Sequence, residues 1–158
     1  MEIERKWLIK ADNIPYDLEK LEHFEIEQAY ISFSPTVRIR RINSERFILT
    51  VKSKPIGNSF AREEFEMEIA EKEYFSLLKK AEGRLIHKTR YLNRREDGLL
   101  EEIDIFSGGF NGLAYLEIEF SDEKEAKCFV QPPWVERDVT NEKGFSNGAL
   151  ARNGMPEI

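Results

Sequence analysis

The sequence predicts a mainly β fold, a closed or nearly closed antiparallel barrel of eight or nine strands with a few helices. Three observations carry this. Alternating or β-rich runs recur along the whole 158 residues, turn signals separate nearly all of them, and only short helical stretches interrupt. No internal repeat, low-complexity tract or interdomain linker divides the chain, so residues 1–158 read as one domain.

The elements follow in order. From Glu2 to Lys10, Glu2, Glu4 and Lys6 fall on one side and Ile3, Trp7 and Ile9 on the other, the period-two pattern of a strand. Asp12-Asn13 precede Pro15, and Tyr16, Leu18 and Leu21 fit a short helix. Strand-like runs then cover Phe24 to Phe33, Thr36 to Ile42, Arg46 to Ser53, Phe60 to Ile69, Arg84 to Arg94, Leu99 to Phe106 and Leu113 to Phe120. Ser34-Pro35, Asn43-Ser44, Pro55-Ile56-Gly57-Asn58, Asp97-Gly98 and Gly108-Gly109 supply the turns between them. Glu71 to Ala81, stopping before Gly83, and Asp122 to Val130, stopping before Pro132-Pro133, read as amphipathic helices. A short strand at Val135 to Val139 and a helix from Ser146 to Arg152 end the chain.

Composition narrows the function classes. Acidic residues outnumber basic ones 30 to 24, a net charge of −6, which argues against a broad nucleic-acid-binding face. The single Cys128 excludes an internal disulfide framework, and no secretory or membrane-spanning segment is present, so a reducing cytoplasm is the expected compartment. His23 and His87 lack metal-ligand spacing and read as structural, and Gly108-Gly109 lacks the context of a P-loop. Trp7 and Phe47 alternate into the core, whereas Gln28 and Tyr30 share the polar parity.

That polar face is almost wholly ionic and sorted by sign. Glu2/Glu4, Arg38/Arg40, Glu64/Glu66/Glu68, Lys88/Arg90, Glu102/Asp104 and Glu117/Glu119 each place like charges two residues apart on one strand face. Repeated like charges cost stability unless something of opposite sign lies between them. Helices covering the apolar outer rows would turn the ionic rows into a lumen. Hard divalent cations answer carboxylate rows, and an oligophosphate answers Lys and Arg rows.

Glu2-Ile3-Glu4-Arg5-Lys6 resembles the N-terminal Glu-x-Glu-x-Lys signature of the CYTH domain, the triphosphate tunnel metalloenzymes. The likeness continues through Val37-Arg38-Ile39-Arg40, Leu49-Thr50-Val51-Lys52, Arg62 to Glu66, Lys88-Thr89-Arg90, Glu102-Ile103-Asp104 and Leu116 to Glu119. It ends at Asp138-Val139-Thr140 and Ser146 to Ala151, with one departure: Gly144-Phe145 stands where the family typically has a basic residue followed by Tyr.

The resemblance implies a closed eight-stranded antiparallel tunnel holding a small-molecule triphosphate and Mg²⁺ or Mn²⁺; net charge and the lack of a spanning apolar segment add the expectation of no nucleic acid or membrane partner. It assigns phosphate binding to Lys6, Arg38, Arg40, Lys52, Lys88 and Arg90. Metal binding falls to Glu2, Glu4, Glu117 and Glu119, with Glu64, Glu66, Glu102 and Asp104 as further tunnel acids. Glu4, Lys52 and Glu119 are the expected catalytic groups, around water activated by the metal. Hydrolysis of inorganic triphosphate is the favoured activity, with nucleoside or thiamine triphosphate as other substrates; adenylate cyclisation and non-catalytic polyphosphate or nucleotide binding are the alternatives. With Glu68 and Arg62 also inward, nine acids and seven bases give the expected lumen a formal charge of −2, so an empty lumen would repel a polyanion until divalent cations bind.

Overall fold

Ten strands and three helices make up a computed structural model that describes residues 1–54, 57 and 60–158. The strands are β1 (Glu2–Leu8), β2 (Glu22–Phe33), β3 (Thr36–Ile42), β4 (Arg46–Lys52), β5 (Ala61–Arg62), β6 (Glu64–Glu68), β7 (Glu82–Arg94), β8 (Leu100–Ser107), β9 (Ala114–Glu119) and β10 (Arg137–Asp138). The helices are α1 (Glu71–Leu78), α2 (Glu123–Cys128) and α3 (Asn147–Asn153).

All the strands join one antiparallel sheet in the order β10-β1-β9-β8-β7-β2-β3-β4-β6, and β5 pairs back onto β1. The expected run Phe60 to Ile69 is therefore broken at Glu63 into two pieces with different partners. β6 continues the sheet from β4, while Glu2 and Ile3 of β1 pair with Arg62 and Ala61 of β5. Counted as one interrupted strand, β5–β6 makes eight staves that nearly close. The far end of the same β1 edge is taken by β10, which pairs at Trp7 and Leu8. Of the expected turn Pro55-Ile56-Gly57-Asn58, all but Gly57 lies outside the described residues. The expected helix around Tyr16 is instead two 3-10 turns, Ala11–Asn13 and Leu18–Lys20. At the β3–β4 hairpin, Asn43 and Ser44 both take positive φ (51° and 57°), the geometry that matches a two-residue turn to strand twist.

The apolar rows are covered on opposite sides. Trp7, Ile103, Leu116 and Ile118 pack with Ala126 and Phe129 at α2, and Ala29, Ile39 and Phe47 pack with Tyr74 of α1. A third cluster lies on the other side of the sheet. Leu8, Tyr30, Ile86, Phe106 and Tyr115 carry the polar-row parity yet are apolar, and they pack against Leu150 and Ala151 of α3. Part of the interior is thus filled by the C-terminal helix, and the hollow part begins where the parity turns ionic. Gly83 permits this seat: at φ +73° its position brings Ala151 O to 2.4 Å from where a Cβ would stand.

Candidate functional site inside the barrel

Strand register brings the ionic rows together. Glu4 pairs with Glu119 and Lys6 with Glu117 across β1 and β9, and Glu117 lies beside Glu102 of β8. Arg90 of β7 lies beside Asp104, Arg38 beside Thr50, and Lys52 beside Glu64. Directly paired residues point to the same face of a sheet, so these side chains converge on one cavity of about 590 Å³. Of the site residues expected from sequence, all but Asp104 line it.

Asp104 sits behind the wall. It is fully buried and accepts Lys88 Nζ at 2.8 Å and Arg90 Nε at 2.7 Å; against the burial, these cations hold its carboxyl well below the usual carboxylate range. It anchors the phosphate-binding candidates rather than facing a ligand. Glu68 leaves the lumen too: it has the right parity, but β6 runs past the mouth there, and the carboxylate pairs with Arg46 at 2.7 Å in the open. Two cationic residues join that strand parity did not reveal, Lys143 and Arg152 from the C-terminal segment.

The lining therefore holds seven carboxylates and nine cationic side chains, a formal surplus of two positive charges in place of the expected −2. A polyanion is attracted before any metal binds, so the case for a metal rests on local arrangement instead of net charge. The Gly144-Phe145 departure is absorbed locally. Gly144 borders the cavity, Phe145 is buried under the Arg137 guanidinium, and Lys143 brings a cation to the lining one position early.

Within the lining, some charges have partners and others do not. Glu117 forms ion pairs with Lys6 (3.4 Å) and Arg90 (3.6 Å), and despite burial these cations hold it down to about 2. Lys52 bridges the barrel seam from β4, 2.8 Å from Glu2 and 3.3 Å from Glu64. Glu102 receives Arg90 at 2.9 Å, yet burial raises its pKa. By contrast, no hydrogen bond or ion pair neutralises Glu4 or Glu119 among the described residues. Burial and the neighbouring Glu117 push Glu4 up to about 7. Glu119 is also raised, by burial and by Glu2, Glu4, Glu102 and Glu64, a neighbourhood of like charge.

The basic side mirrors this. Arg38 Nε and Arg40 Nε are buried without a hydrogen-bond partner among the described residues. Arg40 is 3.6 Å from Glu66, but burial and the nearby Arg38 and Arg90 charges push it down to about 10. Buried unsatisfied guanidinium donors are costly and mark where an external acceptor belongs.

The acidic donor set fits a hard divalent cation. It offers oxygens only, and its members repel one another until something positive intervenes. Among the described residues no three carboxylates already converge on a coordination point, so the donors are neighbours rather than a preformed cage.

An antiparallel tunnel whose interior, instead of a surface cleft, carries opposed rows of carboxylates and guanidinium groups is the class defined by this fold and site. The CYTH domain matches residues 1–148, and the chain belongs to that family. It is 35% identical to the inorganic triphosphatase of Nitrosomonas europaea, covering 95% of this chain and 96% of the relative. The inorganic triphosphatase of Acetivibrio thermocellus is 34% identical over 96% of this chain and 94% of its own. A crystal structure of an inorganic triphosphatase superposes with a TM-score of 0.67 at 32% identity, covering 96% of this chain and 94% of that one. Among the described residues no helix is long and apolar enough to cross a membrane.

Proposed function

We propose that the chain is a divalent-metal-dependent triphosphatase that hydrolyses inorganic triphosphate to pyrophosphate and orthophosphate inside the barrel. The observation that carries this is that two sets without partners among the described residues line one cavity: the buried Nε donors of Arg38 and Arg40, and the carboxylates Glu4 and Glu119. The names of the close relatives favour inorganic triphosphate over an esterified one.

Arg38, Arg40, Lys52, Arg90, Lys6 and Lys88 hold the phosphate oxygens. Their positive charge opposes the charge that spreads over the terminal phosphoryl group and the leaving pyrophosphate. Glu4 and Glu119, with Glu2 and Glu102 close by, hold Mg²⁺ or Mn²⁺, which when bound supplies Lewis-acid polarisation and a lowered water pKa. Glu117 is committed to Lys6 and Arg90 and keeps them in place. Glu64 shares Lys52 with Glu2, and Glu66 faces Arg40. Glu4 or Glu119 orients the water through a carboxylate oxygen left free of the metal and takes its proton; burial and the neighbouring Glu117 raise Glu4 in the metal-free fold, and a bound cation would return it to the carboxylate form. The water oxygen bonds to the terminal phosphorus as the bridging P–O bond breaks, and pyrophosphate departs with those electrons. An exposed, free Cys128 suits the reducing cytoplasm as the compartment.

The test is purified protein with tripolyphosphate and Mg²⁺ or Mn²⁺. Orthophosphate release that stops on chelation is expected. Tight tripolyphosphate binding without turnover would replace the reading by a binder, and cyclic AMP from ATP without orthophosphate would replace it by a cyclase.

A further inference from the structure

Lys88 is 2% exposed, and its Nζ lies 2.8 Å from Asp104 Oδ2 and 3.1 Å from Asn147 Oδ1. An ammonium carries three N–H donors. Two are committed to these acceptors, and the third is left for the cavity that Lys88 lines. Direction therefore depends on both acceptors. Asp104 reaches Lys88 from β8 and Asn147 reaches it from α3.

Asn147 is held in turn. Its Oδ1 also accepts Gln28 Nε2 at 3.2 Å, and Gln28 is fully buried and donates to Tyr30 Oη at 3.3 Å. Because Lys88 can only donate, the Asn147 carbonyl oxygen must be the atom that faces inward. The helix itself makes no use of this side chain. Ser146 is the cap, accepting from Ala149 N at 3.0 Å, and the neighbours that pack the interior are Leu150 and Ala151. A buried amide at the start of an otherwise apolar packing face calls for a polar purpose.

We propose that Asn147 is a positioning residue, which aims the third N–H of Lys88 at a phosphate oxygen in the cavity and so links docking of α3 to the site. This rests on the triphosphatase reading for its substrate. Asn147 also borders the cavity, so action through Lys88 is what separates it both from a direct substrate contact and from a residue that merely holds α3 down.

A double-mutant cycle of Asn147→Ala and Lys88→Ala, assayed with tripolyphosphate and Mg²⁺, tests it. Asn147→Ala is expected to lower kcat/KM roughly tenfold or more, as for loss of a hydrogen bond to a charged group. In the Lys88→Ala background the same substitution is expected to cost less than about twofold, since nothing remains to be aimed. Losses that multiply, or a single variant within about twofold of wild type, overturn the proposal. Thermal unfolding identifies a variant that fails to fold; Asn147→Ser, which keeps a hydroxyl acceptor, then replaces it in the cycle. If wild type releases no orthophosphate, the triphosphatase reading fails by itself, and the four proteins are titrated with tripolyphosphate by calorimetry. The same non-additivity in affinity then supports the placement of Lys88 by Asn147, and additivity, or no binding by wild type, overturns it.

Discussion

Two stretches of the lumen wall carry similar charge in opposite condition. On β7 and β8, Lys88 and Arg90 are paired with Asp104, Glu102 and Glu117 at distances of 2.7 to 3.6 Å. On β1 with β9, and on β3, Glu4, Glu119 and the Nε groups of Arg38 and Arg40 have no such partner among the described residues. The paired wall is complete as folded; the unpaired stretches are completed by something that enters. A buried charge with its partner is held in place, while a buried charge without one raises the energy of the empty site and lowers it on binding.

The largest expected effect breaks the paired wall. Asp104→Asn removes the carboxylate charge paired with buried Lys88 and one of the three paired with Arg90, and it is expected to cost about 3–5 kcal/mol in urea unfolding, with turnover lost as well. The pH dependence has a definite sign. Asp104 has a depressed pKa in the fold, so its stabilisation is present above the ordinary carboxylate pKa of about 4 and is lost as pH falls below it. Wild type should therefore lose stability in acid, and Asp104→Asn should flatten that loss.

Glu4→Gln tests the opposite condition. Turnover of tripolyphosphate is expected to fall on the order of a hundredfold or more, yet the variant should unfold at the same temperature as wild type or above it at pH 8. The pKa of Glu4 is raised to about 7, so the folded protein binds a proton that the unfolded chain gives up. Its contribution to stability falls as pH rises from about 4.5 toward 7, and Gln removes that loss. Mg²⁺ should raise the wild-type unfolding temperature more at pH 8 than at pH 6, and raise that of Glu4→Gln less. Equal destabilisation by Glu4→Gln and Asp104→Asn would erase the distinction between the two stretches.

Arg40→Ala carries the comparison to the basic side with a smaller effect. The KM for tripolyphosphate should rise roughly tenfold, with little change in unfolding temperature, because burial and like charge already disfavour this cation.

Strand parity read from sequence was enough to bring Glu2, Glu4, Lys6, Arg38, Arg40, Lys52, Lys88 and Arg90 to one cavity, because a period of two leaves each residue only two sides. Parity says nothing of depth along the strand. Asp104 and Glu68 have the right side and the wrong position, one sealed behind its own cations and the other beyond the mouth. Nor does parity reach residues off the strands. Asn147 and Arg152 enter the site on α3, whose seat depends on the close approach at Gly83, and Lys143 enters from the segment just before it. A basic residue beside Ser-Asn was the available signal, and here it stands one position away from the expected place. The split of Phe60 to Ile69 into β5 and β6 was invisible for a different reason: local pattern fixes a strand but not which partner takes each half.

The smallest expected effect is at Glu68. It shares a strand face with Glu64 and Glu66, and sequence pattern alone gives it the same inward place. In the fold its carboxylate meets Arg46 where both side chains are more than half exposed. Water screens such a pair, and holding two long side chains in one geometry offsets much of the attraction. Glu68→Gln is therefore expected to change stability by less than about 0.5 kcal/mol and tripolyphosphate turnover by less than about twofold. Glu66→Gln, two residues along the same strand, should raise KM measurably, because Glu66 lines the cavity and faces Arg40 at 3.6 Å. If the two substitutions behave alike, the mouth of the lumen extends further along β6 than the position of Glu68 indicates, and that carboxylate belongs among the ligand-facing charges after all.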